Sequence, residues 1–525
     1  MERSAMTEFS YPSHTMPMTS TRRDFLKASA AVAVPMLIPR SAFAADDRLG
    51  VAVVGAGSQG GGHARFFSHD KRSRVLYVAD PYFDRARQVC ANIEKQYGYR
   101  PQPLSDFRPA LEDKSIDIVT CAAANHWHAL TAIWAMQAGK HCYIEKPVSY
   151  NLHESKIMVA LAQKTGLVFQ TATQCRSTVN INELIAFIRS GGIGDVKFAR
   201  VLCYKRRKTL GPLGDYPIPE SVDYDFWTGP APLKPLSRKN FQYDWHFQRL
   251  YGNGDFGNQG SHQFDVARWI LDVNRFPKSA ITYGGRLGYE IEAKNPTYRD
   301  AGDVANTATA IYDYGDKCLV CEIRGLETQG STIPVGSKQG TFVGVIAYGT
   351  DGYAIQGWNK IGQTFALSYA FDAKGQLIKE FRSEDANGRM LEQGELHERH
   401  VANFLDAVLA NDPKKVNADA RCGTLSVALA HLGSISYYLG EENKVSVDEL
   451  KRTVQKIKSL DDNEATLART LEHLEANGVD LKRTPLSVGP MLNIDVEKEV
   501  FIDNGPANAM RTREYRQPYV VPEAI

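Results

Sequence analysis

The sequence predicts an α/β protein that begins with a doubly wound parallel sheet and continues into a second α/β domain. The apolar run 51–54 ends in a glycine-rich turn that opens a helical stretch, and apolar runs then alternate with helical stretches as far as residue 173. A continuous apolar run is typical of a strand covered by helices on both faces. The chain has 525 residues, which is more than one ordinary domain holds, so we expect at least two.

The glycine-rich turn has the spacing of a dinucleotide-binding fingerprint, Gly55-Ala-Gly57-Ser58-Gln59-Gly60. Gly55 is predicted to make the tight turn, Gly57 to leave room for a pyrophosphate, and Gly60 to pack the helix against the strand. Ser58 and Gln59 then open the helix whose N-terminus would hold the pyrophosphate.

The second predicted strand, 74–79, ends at Asp80, twenty residues after Gly60. A carboxylate at this position would accept both ribose hydroxyls of NAD and repel the 2′-phosphate of NADP. We therefore expect NAD as the cofactor, while the nearby Arg85 keeps NADP as an alternative.

Further strands and helices alternate along the rest of this region. The predicted strands are 116–123, 141–144 and 168–173, and the predicted helices are 127–137 and 152–164. Because ligands bind at the carboxyl ends of such strands, the loops that follow them are expected to line one cleft.

The second domain mixes helices with β-rich runs, including 196–204 and 307–324. Between them, residues 205–248 form a long irregular insertion, of a length that is usually functional or interfacial. Its aromatic residues would either stack on a carbohydrate ring or pack within the loop. They are Tyr216, Tyr224, Trp227, Tyr243 and Trp245.

Two helices, 396–409 and 423–440, are predicted to return the chain to the core of the second domain. A charged helical piece, 448–477, and an extended tail, 484–525, follow. The tail is too apolar for a plain disordered end, so we expect an arm that wraps its own or a neighbouring subunit.

Composition excludes several classes of protein. Lys and Arg number 62 against 60 Asp and Glu, so the charge offers no footprint for nucleic acid, and no apolar run reaches eighteen residues. The eight cysteines are scattered and expected to be buried free thiols; Cys318 and Cys321 would face opposite sides of a strand. No metal site is predicted, since His126 and His128 lack further ligands at suitable spacing.

The N-terminus resembles a twin-arginine export signal. Arg22 and Arg23 lie in the motif 21–27, a weakly apolar stretch follows, and Ala42-Phe43-Ala44 fits a cleavage site. The resemblance predicts a signal peptide over 1–44, cut near Ala44, and delivery of the folded protein to the periplasm by the twin-arginine translocation machinery. A dinucleotide enzyme exported in this way would need to retain its cofactor.

An ordered set of motifs is similar to that of the Gfo/Idh/MocA family, which includes glucose–fructose oxidoreductase and inositol dehydrogenase. Besides the glycine-rich turn, the set comprises Asn125-His-Trp-His128, Ala138-Gly-Lys-His141, Glu145-Lys146-Pro147, Gln174-Cys-Arg176, Gly191-Gly-Ile-Gly194, Trp227-Thr-Gly-Pro230 and Gly260-Ser-His262-Gln-Phe-Asp265. The resemblance implies a Rossmann domain over 48–174, a substrate and oligomerisation domain over 175–440 with a large open, mainly antiparallel sheet, and an extension over 441–525.

The resemblance also implies a carbohydrate or polyol substrate and assembly into homodimers or homotetramers. It implies that Lys146 touches cofactor and substrate, while Glu145 and an often cis Pro147 shape the turn. Asn125 and His128 would line the cofactor cleft. Gln174 and Arg176 would reach the substrate or the cofactor ribose.

Oxidation of a secondary alcohol needs a hydride acceptor and a base for the hydroxyl proton. A desolvated Lys146 would have a lowered pKa, and His262 is the candidate base. Asp265 lies three residues on, where a helix would place it on the same face as His262. Many relatives carry aspartate four residues before this histidine, but here the position is Asn258, which cannot balance an imidazolium.

These observations leave three functions open. A carbohydrate oxidoreductase with bound NAD(P) is the main prediction. The loss of the aspartate and the export signal also fit a glycosidase or lyase that oxidises the ring transiently and then reduces it again. A non-catalytic sugar-binding protein is the third reading, against which the retention of Lys146 and His262 argues.

Overall fold

The computed structural model describes residues 47–328, 342–359 and 366–525. The twin-arginine and cleavage motifs predicted over 1–44 lie outside the described residues.

The first sheet has six parallel strands in the order β3-β2-β1-β4-β5-β6. Its strands are β1 (Leu49–Val54), β2 (Ser73–Ala79), β3 (Gln102–Leu104), β4 (Ile118–Cys121), β5 (His141–Ile144) and β6 (Phe169–Thr171). Its helices are α1 (Ser58–His69), α2 (Phe83–Tyr97), α3 (Arg108–Glu112), α4 (Asn125–Gln137) and α5 (Leu152–Thr165). The strand order reverses between β1 and β4, the point at which such sheets bind their ligands.

The second sheet runs in the order β14-β13-β12-β11-β7-β10-β9-β8-β16-β15, with β17 pairing to β8 at one end. Its strands are β7 (Phe198–Tyr204), β8 (Ser279–Gly285), β9 (Thr307–Asp313), β10 (Cys318–Arg324), β11 (Phe342–Tyr348), β12 (Gly352–Asn359), β13 (Leu367–Asp372), β14 (Leu377–Arg382), β15 (Lys444–Val445), β16 (Leu486–Val488), β17 (Leu492–Asp495) and β18 (Val500–Phe501). Of the described pairs in this sheet, β7 with β10 is parallel and the others are antiparallel. The predicted large, mainly antiparallel sheet is confirmed.

The helices of the second domain and of the extension follow the same numbering. They are α6 (Val179–Arg189), α7 (Tyr224–Thr228), α8 (Gly254–Asn258), α9 (Gly260–Leu271), α10 (Tyr289–Glu292), α11 (Gln393–Leu409), α12 (Ala420–Leu439), α13 (Val447–Gln455), α14 (Asn463–Ala476) and α15 (Gly505–Ala509). Short 3₁₀ turns lie at Gln174–Ser177, Asp244–Phe247 and Pro413–Lys415.

Helix α12 joins the two sheets. It packs against α5 and β6 of the first domain and against α9 and β8 of the second. Gly423 lets α12 approach β6 closely, since a Cβ at this position would lie 2.0 Å from Thr171 Oγ1. The helix is buried on nearly all sides, which explains why its sequence lacks a clear polar face. The two sheets therefore meet through a shared core.

The predicted charged helical piece is two helices, α13 and α14, whose apolar residues pack in one cluster with residues of β8 and β9. The tail then adds strands β16 and β17 to the second sheet. Beyond them, the arm packs on its own chain, where the Tyr519 ring lies 5.4 Å from that of Trp127. Within the described residues, no helix is long and apolar enough to cross a membrane.

All eight cysteines are free, and every one but the half-buried Cys422 is buried. Cys318 and Cys321 lie on β10, so the strand predicted for them is confirmed.

Candidate active site

A cavity of about 470 Å³ opens at the carboxyl edge of the first sheet, beneath the insertion of the second domain. Its volume is in the range of small-molecule sites. Ten of the residues predicted for the site line it: Gly55, Gly57, Ser58, Gln59, Asp80, Asn125, His128, Glu145, Lys146 and Asn258. Five others lie outside its lining: Gly60, Gln174, Arg176, His262 and Asp265.

The glycine-rich turn is built as a phosphate-binding turn. Gly55 has φ +88°, and a Cβ at Gly60 would come within 1.7 Å of the Gly55 carbonyl oxygen, so each position requires glycine. A Cβ at Gly57 would meet only Arg85, 3.6 Å away, in otherwise open space. The turn therefore fits a pyrophosphate at the start of α1.

Asp80 stands at the end of β2, as predicted. Its Oδ2 accepts a hydrogen bond of 2.7 Å from the amide of Ala56, and its Oδ1 accepts one of 2.7 Å from the amide of Tyr82. Burial raises the pKa of Asp80, while these amides oppose the rise. The carboxylate fixes the turn and still lines the cavity, a position that suits a ribose.

Glu145 is held by a residue that the sequence did not single out. His63 of α1 places Nε2 3.3 Å from Glu145 Oε1 and Nδ1 2.7 Å from Thr120 Oγ1, and Gln59 also donates to Oε1. Burial acts to raise the pKa of Glu145, but His63 and Lys146 outweigh it and hold that pKa below its usual range. His63 lies three residues after the glycine-rich turn and belongs to no motif, so only the fold identifies its role.

Lys146 follows β5 and precedes a cis peptide bond to Pro147. Its Nζ donates to the carbonyl oxygen of Asn258 at 2.9 Å, which ties the first domain to the end of α8. Burial lowers the pKa of Lys146, and Glu145 opposes the change.

His128 joins the two loops beside this lysine. Its Nδ1 lies 2.7 Å from the carbonyl oxygen of Pro147, and its Nε2 lies 2.9 Å from that of Ala123. Asn125 starts α4, and its Oδ1 is buried with no hydrogen-bond partner among the described residues. Because a buried acceptor without a partner is costly, this atom is suited to a bound ligand.

His262 lies beside the cavity, on α9. Its Nδ1 is buried without a hydrogen-bond partner in the described structure. Burial lowers the pKa of His262 to about 3, and Lys146 acts in the same direction. The imidazole is therefore neutral at ordinary pH.

Asp265 is not placed for the predicted catalytic role. Its carboxylate accepts bonds of 2.8 and 3.0 Å from Arg176 and one of 2.8 Å from Ser426. The Arg176 guanidinium also lies 4.4 Å from the centre of the Trp269 ring. Because Asp265 and Arg176 bind each other, their role in the structure is to join α9 to the 3₁₀ turn at 174–177. Gln174, buried in the same turn, likewise lies away from the cavity.

The insertion contributes some of its predicted aromatic residues, and further residues, to the cavity. Trp227, Tyr243 and Trp245 line the cavity, whereas Tyr216 and Tyr224 pack among other aromatic residues. His246 also lines it, stacked on Trp245 with ring centres 3.6 Å apart. Lys205, the first residue after β7, completes this side.

His246 has a defined tautomer. Its Nδ1 lies 2.5 Å from the carbonyl oxygen of Tyr243, so Nδ1 carries the proton, and Nε2 is an acceptor that bonds to no described residue. Burial, together with Lys146 and Arg207, lowers the pKa of His246 to about 3, while the hydrogen bond to Tyr243 opposes the change. His246 thus offers a neutral hydrogen-bond acceptor.

The described part of the chain brings together no group of three His, Cys, Asp or Glu side chains that would hold a metal ion.

Comparison with known proteins agrees with this geometry. The model of an oxidoreductase family with an NAD-binding Rossmann fold, Gfo/Idh/MocA, matches residues 49–173. The model of the C-terminal alpha/beta domain of that family matches residues 203–322.

Two curated relatives carry different names. Levoglucosan dehydrogenase of Pseudarthrobacter phenanthrenivorans is 28% identical over 228 residues, which cover 42% of this chain and 51% of the relative. A glycosyl hydrolase family 109 protein of a Shewanella species is 28% identical over 162 residues, covering 29% and 34%. The chain thus matches about half, or less, of the length of these relatives.

The fold is shared with solved structures. A levoglucosan dehydrogenase in complex with NADH and levoglucosan has a TM-score of 0.52 at 19% identity, covering 73% of this chain and 96% of that one. The chain therefore carries the NAD-binding Rossmann domain and the C-terminal α/β domain of the Gfo/Idh/MocA oxidoreductase family.

Proposed function

We propose that this protein is an exported oxidoreductase that uses a retained NAD to take a hydride from a secondary hydroxyl of a sugar, polyol or related carbohydrate. The observation that carries the proposal is the position of Lys146. Lys146 lines the same cavity as the glycine-rich turn, and its Nζ donates one hydrogen bond to the Asn258 carbonyl oxygen. The remaining N–H groups are free to meet a substrate oxygen.

The residues of the cavity have separate roles in holding the cofactor and in acting on the substrate. Bound NAD supplies the hydride acceptor, and Gly55, Gly57, Asp80 and Asn125 are the residues that would hold it. Lys146 accepts the proton of the substrate hydroxyl or stabilises the charge on its oxygen. Its lowered pKa favours the neutral amine as a proton acceptor, and its charged form stabilises an alkoxide.

His246 orients the substrate on the other side of the cavity. Its free Nε2 accepts a hydrogen bond from a substrate hydroxyl, while the Tyr243 carbonyl fixes the ring. Trp245 and Tyr243 supply flat surfaces of the kind on which sugar rings pack. His262 lies outside the lining, next to Lys146, and acts on this lysine rather than on the substrate.

The proposal is tested on the purified mature protein. Denaturation should release nicotinamide nucleotide in near-stoichiometric amount, and a panel of sugars and polyols should reduce it, as measured by absorbance of the reduced ring. A protein that neither contains nor binds a dinucleotide would show the proposal to be wrong.

A second candidate function is redox-neutral cleavage, in which the ring is oxidised, a substituent is eliminated and the ring is reduced again. The match to a glycosyl hydrolase family 109 protein and the amide at Asn258 favour it. Glycosides are therefore included in the panel. Release of the aglycone without accumulation of reduced nucleotide would select this reaction over net oxidation.

Export and assembly complete the proposal. The motif at Arg22 and Arg23 supports periplasmic delivery. Replacing both with lysine should leave uncut protein in the cytoplasm, whereas the parent should begin just after Ala44 in the periplasm. The family resemblance supports a homodimer or homotetramer, which light scattering on the mature protein measures.

A further inference from the structure

Lys205 is a cation at the cavity without an acidic partner. Its Nζ makes one contact, 3.4 Å to Gln259 Oε1, and no carboxylate of the described residues forms an ion pair with it. Neither internal segment outside the described residues, 329–341 or 360–365, contains Asp or Glu.

The neighbouring cations Arg207 and Lys146, unlike Lys205, each have a carboxylate directly beside them. Arg207, two residues on, is buried against Asp255, with Nε 2.9 Å from Oδ2, and donates to the Tyr243 hydroxyl at 2.8 Å. Lys146 meets the Asn258 carbonyl oxygen and has Glu145 beside it. Lys205 therefore places at this end of the cavity a positive charge that no described carboxylate contacts directly.

The acidic residues of the cavity do not balance this charge. Asp80 lies at the end of β2 and is bound by two backbone amides. Glu145 is bound by His63 and Gln59. Both carboxylates belong to the first domain and face the predicted cofactor position.

The position of Lys205 assigns it to the substrate and not to the cofactor. It begins the insertion at the end of β7, in the second sheet, and contacts Gln259 beside Asn258. Asn258 is the residue whose carbonyl oxygen holds Lys146. The glycine-rich turn that would hold the pyrophosphate belongs instead to the first sheet.

We propose that the carbohydrate substrate carries an oxyanion, a carboxylate or a phosphate, which binds Lys205 while Lys146 meets the reacting hydroxyl. This inference rests on the proposed function and names its substrate class. A charge-assisted hydrogen bond to Lys205 would satisfy an ammonium group that the fold leaves partly buried. Burial and Arg207 lower the pKa of Lys205, Asp255 opposes them, and a bound oxyanion would further favour the charged form.

The experiment measures binding to the NAD-loaded protein by calorimetry, so it does not depend on turnover. The probes are matched pairs: D-galacturonate with D-galactose, and D-glucuronate with D-glucose. D-Glucose 6-phosphate and the methyl ester of D-galacturonate complete the set. The phosphate arm distinguishes the two kinds of oxyanion, and the ester removes the charge while keeping the ring.

The variants are Lys205→Gln and, as a matched control, Lys208→Gln, which alters an exposed lysine of the same segment. In the parent, an acidic sugar should bind at least about tenfold more tightly than its neutral partner, and added salt should reduce the difference. Lys205→Gln should abolish this preference without changing the affinity for the neutral sugar or for NAD. Lys208→Gln should keep it.

Equal or tighter binding of the neutral sugars, or a preference that survives Lys205→Gln, would overturn this inference and leave the proposed function standing. A loss of NAD affinity in Lys205→Gln, with sugar binding unchanged, would assign the lysine to the cofactor and also overturn it. Binding of no sugar at all would overturn both proposals.

Discussion

At the cofactor end of the cavity the lining residues come from loops that each follow a strand of the first sheet, whereas at the substrate end they come from one long insertion and from α8. Gly55, Asp80 and Glu145 stand directly after β1, β2 and β5. Tyr243, Trp245 and His246 belong to a segment with little regular structure. The first end is specified by local sequence and the second by tertiary packing.

This difference shows that the two ends of the cavity are positioned by different parts of the structure. Backbone geometry positions the cofactor end, since its turn depends on glycines and on amides held by Asp80. Side chains that are distant in sequence make up the substrate end, where Lys146 of one domain meets Asn258 of the other. Changes at the first end should alter nucleotide retention, and changes at the second should alter turnover.

The largest expected effect is at the contact between the two ends. Lys146→Met removes the group proposed to accept the substrate proton, so turnover should fall by about 10²–10⁴-fold. Nucleotide content and the thermal midpoint should change little, because methionine fills most of the same space. The control is Lys156→Met, an exposed lysine of α5. Turnover within about tenfold of the parent would contradict the role given to Lys146.

The next effect tests whether Asp265 stabilises the fold or takes part in the reaction. Asp265→Asn leaves the Arg176 guanidinium without its anionic partner, and breaking such a buried pair costs about 3–5 kcal/mol. The thermal midpoint at neutral pH should drop sharply, while turnover of the folded fraction changes by less than about tenfold.

The direction in which pH changes the stability difference between parent and Asp265→Asn follows from the lowered pKa of Asp265. Burial acts to raise that pKa, but Arg176 and Arg268 outweigh it. The stabilisation is therefore present above the unfolded pKa and lost as pH falls through the folded pKa, so parent and variant should converge in acid. The control, Asp272→Asn, removes an exposed ion pair with Arg189 and should change stability little. An unchanged midpoint with strongly reduced turnover would restore the catalytic reading.

Asp265 also shows how far the sequence reaches into this site. The helix that places it was predicted correctly, but a helix face does not reveal that Arg176, 89 residues away, lies against it. The same limit explains why His63 and His246 escaped prediction. His63 contacts Glu145, 82 residues away, and His246 reaches the cavity through the packing of an irregular insertion, so neither role follows from spacing.

The fold could be predicted further than the site. Strand 141–144 coincides with β5, because an apolar run between a helix and a fixed turn has few alternatives. The strands predicted over 116–123 and 168–173 are shorter in the structure, since their last residues turn to line the cavity or to start a 3₁₀ turn. The arm's own-chain packing could not be predicted, because its aromatic residues suit any apolar surface.

A smaller effect tests the cofactor end by a pair of glycines on one helix. Gly60→Ala would place a Cβ 1.7 Å from the Gly55 carbonyl oxygen, so α1 must move away from the turn. We expect a loss of about 1–3 kcal/mol in stability and a protein purified with little nucleotide. In Gly61→Ala the nearest atom is Val89 Cγ2 at 3.7 Å, so stability should rise by up to about 1 kcal/mol with nucleotide retained. Equal nucleotide content in the two variants would contradict the fingerprint's role.

The smallest effect tests whether the C-terminal arm supports the cofactor end. Glu154, near the start of α5, accepts hydrogen bonds from the Tyr150 amide at 2.7 Å and from the arm's Tyr515 hydroxyl at 3.1 Å. Burial raises the pKa of Glu154 to about 7, against the opposing effects of these partners and of Arg513. The folded state therefore binds a proton that the unfolded state releases at a pH near 4.5. Stability should fall as pH rises between these two values and stay level above about 7.

Glu154→Gln imitates the protonated carboxyl and should remove this slope, so the variant should be more stable than the parent at pH 8. The exposed Glu183→Gln is the matched control and should keep the parent's slope. Because the Tyr515 hydroxyl opposes the rise in the pKa of Glu154, Tyr515→Phe should raise that pKa further and steepen the slope. Thermal melts between pH 4 and 8 measure all four proteins. A parent whose stability rises over that interval while Glu154→Gln follows it would show that Glu154 does not titrate in the folded protein over that range.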